Sequence, residues 1–150
     1  MTMPSTTTYK RGQVVVVEVT FSDLSGTKRR PAVVVSTDGF HRALADIIVC
    51  PISSQPRYVR TPGPGNCPLS QWRVGGLRHP STVRISKVLA VDKQIVRNVI
   101  GALAVEDLAK VEAGLRRAFG LSGPAARTPR SARPGPSSSQ DRSESSPRRR

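Results

Sequence analysis

Three consecutive cations, Lys28, Arg29 and Arg30, stand directly before Pro31 and a run of β-branched residues. Proline disfavours the helical conformation for the residue that precedes it, so Arg30 is expected to be extended at the rim of a strand. The planar guanidinium group of arginine matches two oxygens of a phosphodiester. Two interpretations remain open: a solvated charge run in a loop, and a preorganised grip on phosphate.

A second polar group, Ser53-Ser54-Gln55, closes the apolar run Asp46–Ser53. Taken alone, it predicts side chains that hydrogen-bond to their own backbone at a strand end. Taken with Arg30, it predicts a hydroxyl and a guanidinium at neighbouring strand ends, where both can hold one phosphate.

The remaining reactive side chains are few. His41 and His79 are the two histidines of the chain, and an acid–base ribonuclease would need such a pair. Nothing in the sequence brings them together, so the preferred interpretation is a surface or structural role. Cys50 lies in an apolar run and is expected in the core, whereas Cys67 lies in a Pro/Gly-rich stretch and is expected to be exposed. Two cysteines do not form a zinc site, and no cofactor or metal is expected.

Hydropathy patterns predict the elements that position these side chains. Strands are expected at 13–19, 32–36, 46–53, 71–74 and 81–85, a helical turn at 40–45 and a helix or turn at 88–99. Residues 56–68 are expected to form a flexible excursion with one short strand at its base. The residues Val105, Leu108, Val111, Leu115 and Phe119 repeat at helical spacing, which predicts an amphipathic helix over 104–119. Short strands joined by Gly/Pro turns indicate a mainly β fold with α: a small barrel with a C-terminal helix.

Composition limits the class of protein. The 150 residues include 24 Lys+Arg and 10 Asp+Glu, a formal net charge of +14. Residues 122–150 contain seven Arg, eight Ser and five Pro but no large apolar residue, which predicts a disordered tail. Residues 1–9 are expected to be a flexible leader and 10–121 a single domain with a net charge of +9. A net positive charge of this size predicts a polyanionic partner.

The same composition argues against membrane insertion and secretion. No apolar run approaches about 20 residues, so no transmembrane helix is expected. Residues 1–10 lack the apolar segment of a secretory signal. With so few cysteines, a reducing cytoplasm is the expected compartment.

Several segments resemble the PemK/MazF toxin family. Arg11-Gly12-Gln13-Val14 and Arg30-Pro31-Ala32-Val33-Val34-Val35-Ser36 are similar to its first two strands, and Val49-Cys50-Pro51-Ile52-Ser53-Ser54-Gln55 is similar to its Pro-Ile-Thr-Ser segment. Shorter matches follow at Ser81-Thr82-Val83-Arg84, Val91-Asp92-Lys93 and Ile100-Gly101-Ala102-Leu103. The matches run in order over about residues 9–121. The loop before Arg30 is shorter than is usual in the family and lacks its glutamate.

The resemblance implies an SH3-like β-barrel, usually a homodimer, that cleaves single-stranded RNA sequence-specifically and without metal, leaving a 2′,3′-cyclic phosphate. The implied partner is an acidic, partly disordered antitoxin. Arg30 falls on the family's catalytic arginine, and Ser53 falls where the family usually has a catalytic threonine. The expected RNA-binding residues are Lys28, Arg29, Ser54, Gln55, Arg57 and Arg84.

Two alternatives remain open at this point. The same basic barrel could bind nucleic acid without cutting it, or it could be a gyrase-targeting toxin, since such toxins share this architecture.

Overall fold

The computed structural model of the chain describes residues 8–20 and 26–121. The predicted leader is therefore described at Thr8 and Tyr9 alone, and the predicted tail, 122–150, lies outside the described residues. Tyr9 is buried, and its carbonyl accepts a hydrogen bond from Nδ1 of His41 at 2.7 Å. The described fold belongs to one compact unit, Met1–Gly120; of a second unit, Leu121–Arg150, the structure describes Leu121 alone.

The described residues form an antiparallel sheet with three α-helices. In chain order the elements are β1 Gln13–Thr20, β2 Thr27–Val34, α1 Asp38–Ala43, β3 Asp46–Ser53, α2 Pro56–Arg60, β4 Asn66–Pro68, β5 Thr82–Arg84, β6 Leu89–Asp92, β7 Val96–Ala102 and α3 Val105–Phe119. The strand order is β4-β5-β3-β2-β1-β7, and β6 also pairs with β3. The predicted mainly β fold with a C-terminal helix is confirmed, although no pairing among the described strands closes the sheet into a ring.

Strand β2 begins earlier than the sequence predicted, and it takes in the charge run. The β1–β2 ladder is continuous from the Val14–Val33 pair to the Thr20–Thr27 pair, so Lys28, Arg29 and Arg30 are strand residues rather than loop residues. Pro31 is tolerated inside β2 because the ladder to β3, on the other side, begins only at Ala32.

The third strand, β3, lies in the middle of the sheet, as its continuous apolar run predicted. Residues Asp46–Val49 pair with β6, while Ile52 and Ser53 pair with β5. The pairing of β3 with β2 ends at Pro51. β3 thus changes partners around Pro51, and Ser53 is the last residue of the strand.

Alternation along the strands builds two apolar clusters on opposite faces. Val14 and Val33 belong to the cluster covered by α3, together with Cys50, Val83 and Val111. Val15 and Val34 belong to the other cluster, with Ile47 and Val49. Because successive strand residues point to opposite faces, the valine runs of β1 and β2 supply both clusters at once.

The C-terminal helix α3 confirms the predicted amphipathic helix but with a narrower apolar face. Val111 is fully buried, and Leu108 and Leu115 pack against the first cluster. Val105 and Phe119, at the two ends, are 85% and 60% exposed, so the prediction that they face the sheet is wrong. At Gly114 the helix packs closely against Ile85, which directly follows β5: a Cβ at Gly114 would lie 2.3 Å from Cδ1 of Ile85.

The strand predicted at 71–74 is wrong. Consecutive turn hydrogen bonds run from the N–H of Val74 to the carbonyl of Gln71 and from the N–H of Gly75 to that of Trp72. The Gln71 N–H is also held by the buried carboxylate of Asp107, at 2.8 Å. These bonds satisfy the backbone locally, so the segment has no need of a strand partner.

The predictions for 88–99 and 56–68 also need correction. The first segment is strands β6 and β7 joined by a short 3₁₀ turn, because sheet edges at β3 and β1 offer pairing that outweighs its helix-like spacing. The second contains helix α2 as well as the short strand β4; Pro56 stands at the first turn of α2, where its missing N–H costs nothing. Within the described residues, no helix is long and apolar enough to cross a membrane.

Candidate functional site

The two predicted catalytic residues lie just beyond the end of the β2–β3 ladder. The last paired residues of this ladder are Ala32 and Pro51, so Arg30 and Ser53 each stand two residues beyond this pair and are not paired with each other. Alternation along the two strands places both on the same face of the sheet. Arg30 is exposed and Ser53 is half-buried. Oγ of Ser53 also accepts a hydrogen bond from the N–H of Gln55 at 3.2 Å, as the local interpretation predicted.

A groove of about 420 Å³ opens beside Arg30. We call it the Arg30 groove; its lining comprises Val16, Arg29, Arg30, Pro31, Ile52, Ser54, Gly76, Leu77, Arg78, His79, Ser81 and Ile100. Three of these residues are arginines. Ser53 is not part of the lining, so the hydroxyl that the chain segment 53–55 contributes to the groove is that of Ser54. The floor is apolar and the rim is cationic, which suits a ligand with a flat base and a phosphate.

A second cavity of about 470 Å³ shares Ser54 and His79 with the Arg30 groove. We call it the Arg60 cavity, because Arg60 of α2 lies on its wall with Val59 and Pro56. Because the two cavities share these two residues, they lie next to each other. Together they form a basic track from β2 to α2.

The segment that supplies Arg78 and His79 is fixed at both ends. At Gly76, φ is +83° and a Cβ would lie 2.1 Å from the carbonyl oxygen of Ile100 on β7, so only glycine fits there. At the other end the buried hydroxyl of Ser81 donates to the carbonyl of His79 at 2.7 Å. The backbone around His79 is therefore held in place although its side chain is exposed.

Two further predicted RNA-binding residues contact one aromatic ring. The guanidinium of Arg84 lies 4.1 Å from the ring centroid of Tyr58, and that of Arg57 lies 4.8 Å from it. Nε of Arg84 also donates to the side-chain oxygen of Asn66 at 2.8 Å. We call this set the Tyr58 stack; its two cations are oriented by cation–π contacts and not by a carboxylate.

The other predicted binding residues have different surroundings. Lys28 is exposed on β2 but does not line the Arg30 groove. Nε of Arg29 lies 3.8 Å from Glu18, which also pairs with Arg97. The hydrogen bond from Arg97, followed by the charge of both arginines, lowers the pKa of Glu18 despite partial desolvation. Gln55 is exposed, at the N-terminus of α2.

The two histidines occupy different environments. His41 is 2% exposed: its Nδ1 donates to the carbonyl of Tyr9, and its Nε2 lies 2.5 Å from Oγ of Ser36. It is a structural histidine that joins the N-terminal segment to α1. His79, in contrast, lines both cavities.

Both cysteines are buried, free thiols. Burial, reinforced by the neighbouring Cys67, raises the pKa of Cys50 to about 12. Burial also raises the pKa of Cys67. The expectation of an exposed thiol at Cys67 is wrong, because the Pro/Gly stretch folds back as β4 and places Cys67 opposite Val83 of β5. Neither thiol is available as a nucleophile at neutral pH.

Comparison with known proteins places the chain in a family. A sequence search of curated proteins finds no match. Residues 10–119, however, match the family described as PemK-like, MazF-like toxin of type II toxin-antitoxin system. The chain belongs to this toxin family. The family match covers every described strand and the whole of α3, and it includes both cavities and the Tyr58 stack.

Solved structures show the same fold in other members of this PemK/MazF group. A complex of MazE and MazF from Deinococcus radiodurans matches with a TM-score of 0.63 and 21% identity, over 77% of this chain and 100% of that chain. An endoribonuclease from Mycobacterial species, in complex with its cognate antitoxin, matches with a TM-score of 0.62 and 19% identity, over 77% and 99%. The Mycobacterium tuberculosis toxin MazF-mt6 matches with a TM-score of 0.59 and 21% identity, over 74% and 99%.

Sequence reasoning missed Arg78, His79 and Arg60 as members of the site. One signal was present: Arg78-His79-Pro80 repeats the order of Arg29-Arg30-Pro31, two basic residues followed by proline. Both pairs line the same groove because Gly76 contacts β7. The sequence does not show this contact.

Proposed function

We propose that this toxin-family chain is an endoribonuclease that cleaves single-stranded RNA at specific sequences, without a metal ion, and leaves a 2′,3′-cyclic phosphate. The observation that carries the proposal is the Arg30 groove. Its three arginines and the hydroxyl of Ser54 lie around an apolar floor, next to the end of β3 that carries Ser53. Such a groove can seat a base and hold the adjoining phosphate.

The proposed reaction is attack of a 2′-oxygen on the neighbouring phosphorus. The phosphorus becomes pentacoordinate and carries two negative charges, and the bond to the 5′-oxygen then breaks. Arg30 would donate two N–H groups to the phosphoryl oxygens and stabilise this charge in the transition state. Ser53 would donate its hydroxyl to one non-bridging oxygen and orient the phosphate against Arg30.

The remaining cations would bind the RNA chain on both sides of the scissile bond. Arg29 at the groove and Lys28 beside it, with Ser54 and Gln55 at the end of β3, would contact adjoining nucleotides. Arg57 and Arg84 of the Tyr58 stack would contact backbone phosphates further along. These contacts fix where the strand lies, while the apolar floor of the groove would read the base.

We also propose an acidic, partly disordered antitoxin as the protein partner, in a cytoplasmic pair whose toxin is a homodimer. Two comparison structures are toxins complexed with antitoxins. The net charge of +14 and the basic track support a polyanionic segment as the occupant that competes with RNA.

The test compares the wild type with Arg30→Ala on a long single-stranded RNA in the presence of EDTA. The wild type is expected to cut, and sequencing of the ends should show a 2′,3′-cyclic phosphate. Arg30→Ala should cut about 10²–10³ times more slowly, because one preorganised donor to the transition state is lost. Arg42→Ala, which removes an exposed arginine of α1 outside both cavities, should cut like the wild type.

Three outcomes would contradict the proposal: loss of wild-type cleavage in EDTA, equal rates for Arg30→Ala and wild type, or a full-length RNA after prolonged incubation. In the last case, salt-sensitive retention of uncut RNA would favour the binding protein without catalysis. Ser53→Ala and Ser54→Ala, measured side by side, test which hydroxyl orients the phosphate: a larger loss of rate at Ser53 supports the role given to it, and a larger loss at Ser54, which lines the groove, contradicts that role.

A further inference from the structure

The Arg30 groove is rich in hydrogen-bond donors and poor in groups that can accept a proton. A guanidinium has five N–H donors, no acceptor and a pKa above about 12. Within the described part of the chain, neither the Arg30 groove nor the Arg60 cavity is lined by an Asp, Glu, Lys, Cys or Tyr. The groove can therefore stabilise a dianion, but its arginines cannot remove the proton of a 2′-hydroxyl.

His79 is the one described lining residue with an imidazole, and it lies between the two cavities. A neutral imidazole accepts a proton on its unprotonated ring nitrogen at ordinary pH. The other histidine of the chain cannot take this role, because both ring nitrogens of His41 are engaged in the core.

The backbone of His79 is built to hold the ring at the groove. The chain bends at Arg78 and His79, and Pro80 disfavours the helical conformation at His79. Ser81 binds the carbonyl of His79, and Gly76 anchors the start of the segment against β7. The charged residues that line the two cavities together with His79 are Arg29, Arg30, Arg60 and Arg78.

We propose that His79 is the general base of the cleavage reaction, an inference that rests on the function proposed above. The imidazole takes the proton from the 2′-hydroxyl while the 2′-oxygen forms its bond to phosphorus. The bond from phosphorus to the 5′-oxygen then breaks, and that oxygen takes a proton from water. The products are a 2′,3′-cyclic phosphate, a 5′-hydroxyl and an imidazolium that returns its proton to solvent.

The first experiment uses the full chain and a short RNA that contains one mapped cleavage site. His79→Gln keeps a hydrogen-bonding side chain but removes proton exchange, and it should lower kcat about 10²–10⁴-fold. Affinity for the same RNA with a 2′-deoxy sugar at the scissile position should change less than about threefold. Free imidazole in the buffer should restore part of the activity of His79→Ala but none of the activity of Arg30→Ala.

The second experiment separates a base from an acid. The scissile 5′-oxygen is replaced by sulfur, which leaves as a thiolate and needs no proton. If His79 is the base, the defect of His79→Gln persists on this substrate; if the defect disappears, His79 is the acid and the inference is wrong.

The two proposals fail in different ways. Wild-type cleavage with an unimpaired His79→Gln overturns the role of His79 and leaves the ribonuclease in place. A wild type that cuts no RNA overturns both. A defect in His79→Gln that equals its loss of affinity for the 2′-deoxy RNA shows a binding residue and also overturns the inference.

Discussion

Asp107 has no exposed side-chain surface, yet the surrounding residues favour its charged form. Burial alone would raise its pKa. The N–H groups of Ser70 and Gln71, at 2.9 and 2.8 Å, and Nζ of Lys110 outweigh this effect and lower the pKa below its ordinary value of 3.8. One carboxylate therefore ties the start of α3 to the turn that follows β4, the turn from which the Gly76–His79 segment continues.

The first prediction concerns this carboxylate. Asp107→Asn keeps the shape but offers one acceptor in place of two, so a buried N–H loses its partner. At pH 7 the free energy of unfolding should fall by about 2–3 kcal/mol, measured by urea denaturation. Glu106→Gln, on the neighbouring exposed residue, should change it by less than about 0.5 kcal/mol.

The difference in free energy of unfolding between the wild type and Asp107→Asn should change with pH in a defined direction. Because the folded-state pKa of Asp107 is lowered, its contribution is complete above about pH 4 and is lost as the pH falls through the folded-state value. The gap between wild type and Asp107→Asn should therefore narrow below pH 4. A gap of constant size from pH 7 to pH 3 would contradict the role given to the carboxylate.

At the scale of elements, the position of α3 depends on one close approach. Gly114 lies on the buried face of the helix, and a Cβ there would meet Cδ1 of Ile85 at 2.3 Å. Glycine costs a helix interior about 1 kcal/mol relative to alanine, so its presence here reflects packing and not helix propensity. The face of the sheet covered by α3 is the one that carries Val14, Val33 and Cys50.

The second prediction tests this contact by a double-mutant cycle. Gly114→Ala should lower the free energy of unfolding by about 1–3 kcal/mol through overpacking. Ile85→Val removes the Cδ1 atom, and in that background Gly114→Ala should be neutral or stabilising, by up to about 1 kcal/mol. Additive effects of the two substitutions would contradict the clash.

At the scale of the whole molecule, charge is distributed unevenly. Of the net +14, the residues up to Leu121 carry +9 and residues 122–150 carry +5. Each cation that neutralises a phosphate on single-stranded RNA lowers the slope of log K against log salt by about 0.7. Under the proposed function, residues up to Leu121 and residues 122–150 would make separable contributions to RNA affinity.

The third prediction removes residues 122–150. The shortened chain should bind a 2′-deoxy-blocked RNA more weakly at low salt, with a salt slope shallower by about 0.7 for each tail arginine that contacts phosphate. Its midpoint of thermal unfolding should stay within about 2 °C, because the removed residues include no large apolar side chain. A full-length chain with the seven tail arginines changed to glutamine is the matched control and should show the same slope as the shortened chain; an unchanged slope in both would contradict the prediction.

Local sequence determined most of the framework. The β-branched runs of β1 and β3 and the apolar spacing at Leu108, Val111 and Leu115 specify strands and a helix because alternation and helical periodicity are properties of neighbouring residues. Local sequence also identified the part of the candidate site that lies on β2 and at the end of β3. The Arg30–Pro31 pair and Ser53-Ser54 are each a signal carried by neighbouring residues at a strand end.

Tertiary structure decided the rest. Whether 88–99 became strand, whether Cys67 was buried, and which histidine reached the groove all depended on contacts between residues distant in the chain. His41 and His79 are alike in sequence terms, but one binds the carbonyl of Tyr9 in the core and the other faces the arginines of the Arg30 groove. Proton transfer needs a side chain at the correct position beside the substrate. The position of His79 depends on tertiary packing, such as that of Gly76 on Ile100, and no local sequence pattern encodes that packing.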